Sequence, residues 1–353
     1  MKHEKLCSRC ILPEGYPGVT FNEEGVCSLC QEYTPKEVLG EEALWKAISE
    51  RPGTTYDVLV PVSGGRDSTY VLYQAVKKFG KRVFAVHFDN AFEDKQAENN
   101  FLEAVKRLGI DYTISKSKHA WPEKIVEQAV KSALPFGLFE ITTNCCVACT
   151  YGFRSASYRE AISRKIPSVL WGDSDEEAVS FFYRSNRAKY LFSRRFYNYF
   201  LFILYTMLFQ IEFWIPNSKF FHFSAPTPYP GKEIQDFHFF DYVTWDRREI
   251  KRTIMEELGW SIPEGTVSTW RFGCKIYALA NYCFKQTHGI SKSFDGFANM
   301  IRSGKMDREE ALQHEEQLGL MNEELVDMLR NDVHLSEKDL SHYFGIRNYT
   351  NEE

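Results

Sequence analysis

The chain has 353 residues, 44% hydrophobic and 26% charged, a globular composition that excludes a disordered or fibrous protein. That length accommodates one α/β domain with an appended small module or two. The formal net charge of −5 argues against a general grip on a phosphate backbone, so a small substrate is expected and no nucleic acid.

Residues 1–35 hold four of the nine cysteines and few core residues. Met1-Lys2-His3-Glu4-Lys5 leads into cysteines rather than the apolar stretch of a signal peptide, so reduced thiols and a cytoplasmic location are expected. Cys7-x2-Cys10 and Cys27-x2-Cys30 are two knuckles whose four thiolates suit a tetrahedral Zn²⁺, with Gly15, Gly18 and Gly25 supplying turns. So small a segment cannot bury a core, and a closed structural site is the expected stabiliser.

A helix is expected over Glu37–Glu50, broken by Arg51-Pro52-Gly53, and then a buried-type strand at Tyr56–Val62. A helix from about Asp67 to Phe79, a strand at Arg82–Phe88, a helix near Asp94–Leu108 and a strand at Asp111–Ser115 follow. Helices over 122–134 and Gly152–Arg164 precede a fourth strand at Pro167–Trp171. This alternation predicts an α/β fold with a doubly wound parallel sheet, whose ligands bind beyond the carboxyl ends of the strands. From about Ser291 the chain turns polar and helical, with capping-type starts at Asp307-Arg308-Glu309-Glu310 and Ser336-Glu337-Lys338-Asp339. The expected division is a ribbon at 1–35, a catalytic domain at 36–290 with an apolar insertion at about 176–240, and a helical tail at 291–353.

The most informative segment is Pro61-Val62-Ser63-Gly64-Gly65-Arg66-Asp67-Ser68. A strand delivers a Ser-Gly-Gly turn to a helix N-terminus, where free amides and the helix dipole favour an anion. Ser63 and Ser68 offer hydroxyls to phosphate oxygens, and Asp67 would need a Mg²⁺ between itself and the phosphates. Ser63 to Ser68 match the SGGxDS signature of the PP-loop ATP pyrophosphatases, which cleave ATP between the α- and β-phosphates, and do not match the Walker pattern. The resemblance implies an adenine-nucleotide α-hydrolase-like fold and nucleotide contacts from Pro61, Val62, Ser63, Gly64, Gly65, Asp67 and Ser68. It also implies contacts from His87, Asp89 and Asn90 after the second strand, and from Gly172 and Asp173 after the fourth.

Cys146-x2-Cys149 ahead of a helix carrying Arg154, with the remote Cys274, resembles the three-cysteine site of PP-loop tRNA thiolases, where three thiolates hold a [4Fe–4S] cluster. A second zinc, or buried thiols beside the nucleotide, fit the same pattern, and Cys145 competes with Cys146 for the role. Cys283 is expected in the core.

The order of the ribbon, the loop, the cysteines before Tyr151–Ala161, Trp171-Gly172-Asp173, Phe272-Gly273-Cys274-Lys275, Asp295-Gly296 and Ile301–Leu312 is similar to the N-acetyl sugar amidotransferases of lipopolysaccharide and O-antigen-type surface-glycan synthesis. It covers most of residues 5–315 and is poor over 176–240. It implies that ATP activates the acetamido oxygen of a nucleotide-linked N-acetyl sugar and that ammonia displaces AMP. The ammonia would come from a separate glutaminase-type subunit, in an oligomer or hetero-complex. Asp67, Ser68 and Lys275 are the expected catalytic residues, with Arg271 a further charge partner. Two other readings stand beside it: a sulfurtransferase using a cluster or persulfide, and a non-catalytic nucleotide-binding subunit. Residues 196–215 are apolar but interrupted by Asn198, Gln210 and Glu212, so they are read as a buried or subunit-facing helix, an interfacial helix at the inner face of a membrane, or a span.

Overall fold

The computed structural model describes residues 5–174, 192–215, 231–263 and 273–346. Five strands form one sheet in the order β3-β2-β1-β4-β5: β1 (Val58–Pro61), β2 (Val83–Asp89), β3 (Asp111–Lys116), β4 (Ser168–Trp171) and β5 (Gln235–His238). Every pairing is parallel, as the strand and helix alternation requires. Val58 is opposite Val83 on one side and Ser168 on the other. The chain order reverses between β1 and β4, so a crevice opens at their carboxyl ends.

Both faces of the sheet are covered, which is why β1 and β2 read as unbroken apolar runs. Val58, Val60, Val83 and Ala85 pack into one core with helices α3 (Arg66–Phe79), α4 (Lys95–Leu108) and α10 (Arg247–Leu258). Leu59, Phe84, Val86 and Phe88 point to the other face, against α5 (Trp121–Ala133), α7 (Val147–Arg164) and α8 (Phe196–Glu212). A third cluster joins α5 to α11 (Lys275–His288) and to the C-terminal α14 (Glu323–Asp327) and α15 (Glu337–Phe344).

The ends of the helices follow local chemistry. Asp94 caps α4 by accepting from the Gln96 amide, and Gly109 ends it in the left-handed region at φ 61°. Asp246 caps α10 through the Arg248 and Glu249 amides. Ser336 caps α15 through the Asp339 amide, as expected. Asp307 begins α13 (Arg308–Gln317) without a side-chain cap: its carboxylate lies 3.6 Å from Arg248, and Glu310 pairs with Arg247, so no box closes.

Several expected boundaries move. The first long helix, α2, covers Glu41–Ser49 rather than Glu37–Glu50, because Leu39 and Gly40 donate their amides to Asp241 and Tyr242 carbonyls in an extended stretch. The earlier short turn of helix, α1, is Ser28–Gln31 within the ribbon. Helix α7 starts at Val147, not Gly152, and follows the four-residue α6 (Ile141–Asn144). Gly152 is no boundary: a Cβ there would lie 2.2 Å from the Phe88 ring and 2.9 Å from Phe209. Strand β5 lies inside the span read as an insertion, and α9 (Phe239–Tyr242) follows it directly.

The tail is less polar in fact than in sequence. Helix α12 (Phe294–Arg302) buries Phe294, Phe297 and Met300 in the core that also holds Ile11, Leu12 and the ribbon cysteines. Helix α8 has one face against α5 and α7, with Tyr199, Phe202 and Phe209 buried, and an opposite face that leaves Tyr197 68% and Ile211 56% exposed. Its polar residues hold it in place: Asn198 donates to Gln128, and Glu212 accepts from Ser117 and the Lys118 amide. Among the described residues no helix is long and apolar enough to cross a membrane.

Gly152→Ala tests this packing. Alanine is the better helix former, yet the extra methyl would meet two phenylalanine rings, so a loss of about 1–3 kcal/mol in chemical denaturation is expected.

Candidate functional site

The Ser63-Gly64-Gly65 turn lies at the carboxyl end of β1 and opens helix α3. Gly64 adopts φ 72°, and a Cβ on it would fall 1.8 Å from the Ala97 carbonyl oxygen, so helix α4 leaves space for glycine alone. The Gly64 carbonyl accepts from Trp260 Nε1 at 3.0 Å and from Asn100 Nδ2 at 3.5 Å. Asn100 in turn holds both backbone groups of Ser261, binding the segment after α10 to α4. Ser63 and Ser68 place their hydroxyls 3.2 Å apart at the solvent side of the turn, where they can reach an anion over the helix N-terminus.

Gly172 completes the crevice. It follows β4, and a Cβ on it would lie 3.0 Å from the Ser68 Cα, so the end of β4 rests against the first turn of α3. Asp173 then accepts from His238 Nδ1 at 2.7 Å, joining the ends of β4 and β5. Arg154 lies over the Trp171 ring at 5.0 Å, and Asp236 accepts from both Trp171 Nε1 and the Tyr158 hydroxyl. Asp89 and Asn90 sit at the end of β2 as expected, where they bend the chain by accepting from the Ala91 and Phe92 amides. Pro61 and Val62 are buried within and just beyond β1 and deliver the turn; Val62 donates its amide to Val86.

Three residues expected at the site are engaged by partners within the chain. His87 is 1% exposed, stacked on Phe101, with Nδ1 on the Val62 carbonyl at 2.8 Å and Nε2 on Glu93 at 2.6 Å. Both ring nitrogens are engaged inside the protein, so His87 braces the loop and does not open to a nucleotide. Because the Val62 carbonyl requires a hydrogen on Nδ1, a proton lies between Nε2 and the Glu93 carboxyl. Burial pushes Glu93 up, and His87, which burial alone would push down, is held up by Glu93.

Asp67 gives both carboxylate oxygens to Arg66, at 2.6 and 2.8 Å. Arg66 is itself buried beneath the Trp245 ring. Asp67 is therefore an ion-pair partner that anchors the start of α3. The residues present do not assemble the carboxylate site expected for Mg²⁺, and no step is assigned to that ion here. Lys275 opens α11 and turns its ammonium toward Glu324, 3.6 Å away, since a cation is disfavoured at a helix N-terminus. Arg271 lies outside the described residues.

In the N-terminal module the sulfurs of Cys7 and Cys30 are 3.9 Å apart and those of Cys10 and Cys27 3.7 Å, and all four lie within 4.8 Å of one another. Metal–sulfur bonds of about 2.3 Å in a tetrahedron require separations of about 3.8 Å, so the four thiols fit one metal ion. The Cys10 and Cys27 amides donate to Cys7, and the Leu12 amide donates to Cys10. Burial pushes the Cys30 thiol up to about 11, so holding all four groups as thiolates would require a bound cation. Arg302 reaches Cys10, and Arg308 donates to the Cys7 carbonyl, fastening this module to the tail.

The second group also converges. Cys146 caps α7, Cys149 lies in its first turn, and Cys274 caps α11, where Glu93 bridges to it and the Asp94 amide meets the Gly273 carbonyl. Burial pushes Cys149 up to about 12, with Cys274 and Cys146 both close enough to add to the rise, while Asn90 donates to its sulfur. The three sulfurs do not all fall within 4.8 Å, a wider spacing than one zinc ion needs. Cys145 is buried, its sulfur 3.9 Å from that of Cys146, and Cys283 is in the core as expected.

Trp260, Asn100, Glu93, Trp245 and His238 escaped the sequence reading. Each lies outside any motif, and only the residue types of Trp260, Trp245 and His238 marked those three as unusual.

No family model matches the chain. Solved structures share limited likeness with it. An NH3-dependent NAD synthetase from Campylobacter jejuni is 16% identical with a TM-score of 0.30, over 39% of this chain and 55% of its own length. A tRNA thiolase from Methanococcus maripaludis with its [4Fe–4S] cluster is 14% identical with a TM-score of 0.35, over 94% of this chain and 98% of its own. An NMN synthetase from Francisella tularensis is 15% identical with a TM-score of 0.30, over 70% and 91%. The chain thus spans little more than half of the NAD synthetase.

Two outcomes test the site. Cys10→Ala should release about one equivalent of metal per chain and lower Tm, read by elemental analysis and calorimetry. The Asp173 hydrogen bond raises His238 above its ordinary 6.5, and Asp173 is lowered in return. A raised histidine contributes stability below 6.5 that is lost as pH climbs through its folded value, and a lowered aspartate contributes above its usual range. The pair is therefore strongest between the two, and Asp173→Asn should return the His238 titration, followed by NMR, toward 6.5.

Proposed function

We propose that this chain is a PP-loop ATP pyrophosphatase that adenylates the acetamido oxygen of a nucleotide-linked N-acetyl sugar and replaces it with ammonia-derived nitrogen. The observation that carries the ATP chemistry is the loop at the switch point: a glycine turn with two adjacent hydroxyls on a helix N-terminus, backed by Gly172 against Ser68. The amide acceptor and the nitrogen donor rest on the order of motifs in the sequence.

In this reading the acetamido oxygen attacks the α-phosphorus and pyrophosphate leaves. Ammonia then adds to the imidate carbon, AMP departs, a proton is released, and an acetamidino group remains. Ser63, Ser68 and the amides of the turn hold the phosphates where charge builds up. Ammonia would come from a glutaminase-type partner. Zinc is the ion proposed for Cys7, Cys10, Cys27 and Cys30, closed by four ligands and hence structural. The cytoplasm is the proposed compartment, with the exposed face of α8 the place for a subunit or membrane contact.

A second reading is favoured by one observation, the convergence of Cys146 and Cys274 on Cys149. The resemblance to cluster-bearing thiolases makes these three thiols candidates for a [4Fe–4S] cluster, which would present sulfur to the same activated carbon. What the chain itself contributes there is two helix starts that bring the thiols into one region.

Full-length protein incubated with ATP, ammonium and a UDP-linked N-acetylhexosamine should form AMP and pyrophosphate together, in step with amidine detected by mass spectrometry. Ser68→Ala should lower kcat/KM about a hundredfold. ADP and phosphate as products would overturn the pyrophosphatase reading. Iron and acid-labile sulfide lost on Cys149→Ala, with thioamide in place of amidine, would overturn the choice of nitrogen.

A further inference from the structure

Large apolar and aromatic side chains left open to solvent are concentrated on one element. Of the eleven among the described residues, six lie on helix α8 or within four residues of its ends: Phe192, Phe196, Tyr197, Phe200, Ile211 and Trp214. Along the helix Tyr197, Phe200, Leu204, Met207 and Ile211 recur at intervals of three and four, which places them on one face. Tyr199, Phe202 and Phe209 form the other face and are the residues buried in the core with α5 and α7. No charge interrupts the sequence between Arg195 and Glu212, so the outer face is an apolar strip about 25 Å long. A contiguous strip of this kind marks a contact surface.

The charges that border the strip select its partner. Lys118, Lys124, Arg159 and Arg194 all adjoin α8, and none makes an ion pair with another described residue. The Lys118 amide donates to Glu212, the Lys124 ammonium lies 5.9 Å from the Tyr205 ring, and Arg159 lies 5.2 Å from the Phe213 ring. Arg194 precedes the first turn and is exposed. Most carboxylates nearby are already neutralised: Asp339 by Arg195, Glu127 by Lys131 and Glu160 by Arg164. Glu123 and Glu212 are left, and Glu212 accepts from Ser117 and the Lys118 amide. Four cations against two carboxylates make this side positive in a chain whose formal charge is −5.

A second copy of the chain fits the strip poorly. Cations stand at both of its ends, so a two-fold pairing of α8 with α8, parallel or antiparallel, sets cation against cation. An anionic lipid surface complements both features, the apolar face and its cationic border. Tyr197 near one end and Trp214 beyond the other are also the residue types that settle at the headgroup level of a bilayer.

We propose that the outer face of α8 docks on a membrane containing anionic phospholipids. The helix lies parallel to the bilayer plane, its apolar strip enters the acyl boundary, and Lys118, Lys124, Arg159 and Arg194 meet lipid phosphates. The contact is peripheral, since among the described residues no helix is long and apolar enough to cross a membrane. It holds whatever the acceptor of the reaction is.

The test is flotation of the full-length protein with vesicles of phosphatidylcholine alone, or of phosphatidylcholine and phosphatidylglycerol in equal parts. Binding to the mixed vesicles should be at least about tenfold tighter and should weaken as salt rises. Lys118→Glu combined with Arg194→Glu should remove that preference. Phe200→Ser combined with Ile211→Ser should weaken binding to the mixed vesicles about tenfold, with an unchanged thermal unfolding curve as the control for an intact fold. A blue shift of tryptophan emission on binding should be lost in Trp214→Phe, which keeps the affinity. No binding of the wild type to mixed vesicles at low salt would overturn the proposal. So would equal affinities of the wild type and the Phe200→Ser/Ile211→Ser protein. A wild type that light scattering shows to be dimeric without lipid, and monomeric in that double variant, would overturn it in favour of a second copy on this face.

Discussion

The Gly64 carbonyl is the point at which the rest of the site is held. It accepts from Trp260 and Asn100, while the Gly64 Cα sits so close to Ala97 that no side chain fits. Through these contacts three elements that are far apart in sequence, β1–α3, α4 and the turn after α10, share one joint. The turn must be tight because the amides after Gly64 define the anion position, and positive φ at Gly64 is what turns them there. The brace of His87 on the Val62 carbonyl extends the same joint beneath β2.

Around that joint, charge is arranged in pairs. Arg66 holds Asp67, His238 holds Asp173, and the proton of His87 is shared with Glu93. Such pairs fix backbone and side-chain positions in a crevice that would otherwise have mobile ends. Those that are partly exposed contribute positioning more than stability. The buried pair between His87 and Glu93 also links the Ser63-Gly64-Gly65 turn to the strand-like bridge that carries Cys274. One chain of contacts thus runs from the proposed nucleotide site to the second cysteine group.

The N-terminal module and the tail form a second unit of design. Four cysteines and a few apolar residues cannot hold a fold alone, yet Ile11, Leu12 and the thiols share a core with Phe294, Phe297 and Met300. A metal held there would stabilise a surface that packs on the α/β domain, and the arginines of α12 and α13 join the two ends of the chain.

Most of the sheet was legible in sequence, because strands buried on both faces leave continuous apolar runs and the turns between them carry glycine or capping residues. The four-cysteine site was legible for a related reason: its ligands are local, and two knuckles at short spacing leave few alternatives. Strand β5 was not, since Gln235–His238 is four residues long with one buried position and polar residues at its start, too short a pattern to mark a strand after the Pro230-Gly231 turn signal. Gly152 misled because a glycine inside a helix looks like its end, while the real reason for it is the ring of Phe88 across the interface. Tertiary structure alone decided the partners of Asp67, His87 and Lys275. A motif fixes which residue types stand at a strand end, but which neighbour takes each charge, the adjacent Arg66 for Asp67, the nearby Glu93 for His87 and the distant Glu324 for Lys275, is settled by the fold. The same holds for Trp260 and Trp245, whose indole donors acquire meaning only when the fold sets one beside a carbonyl and leaves the other without an acceptor among the described residues.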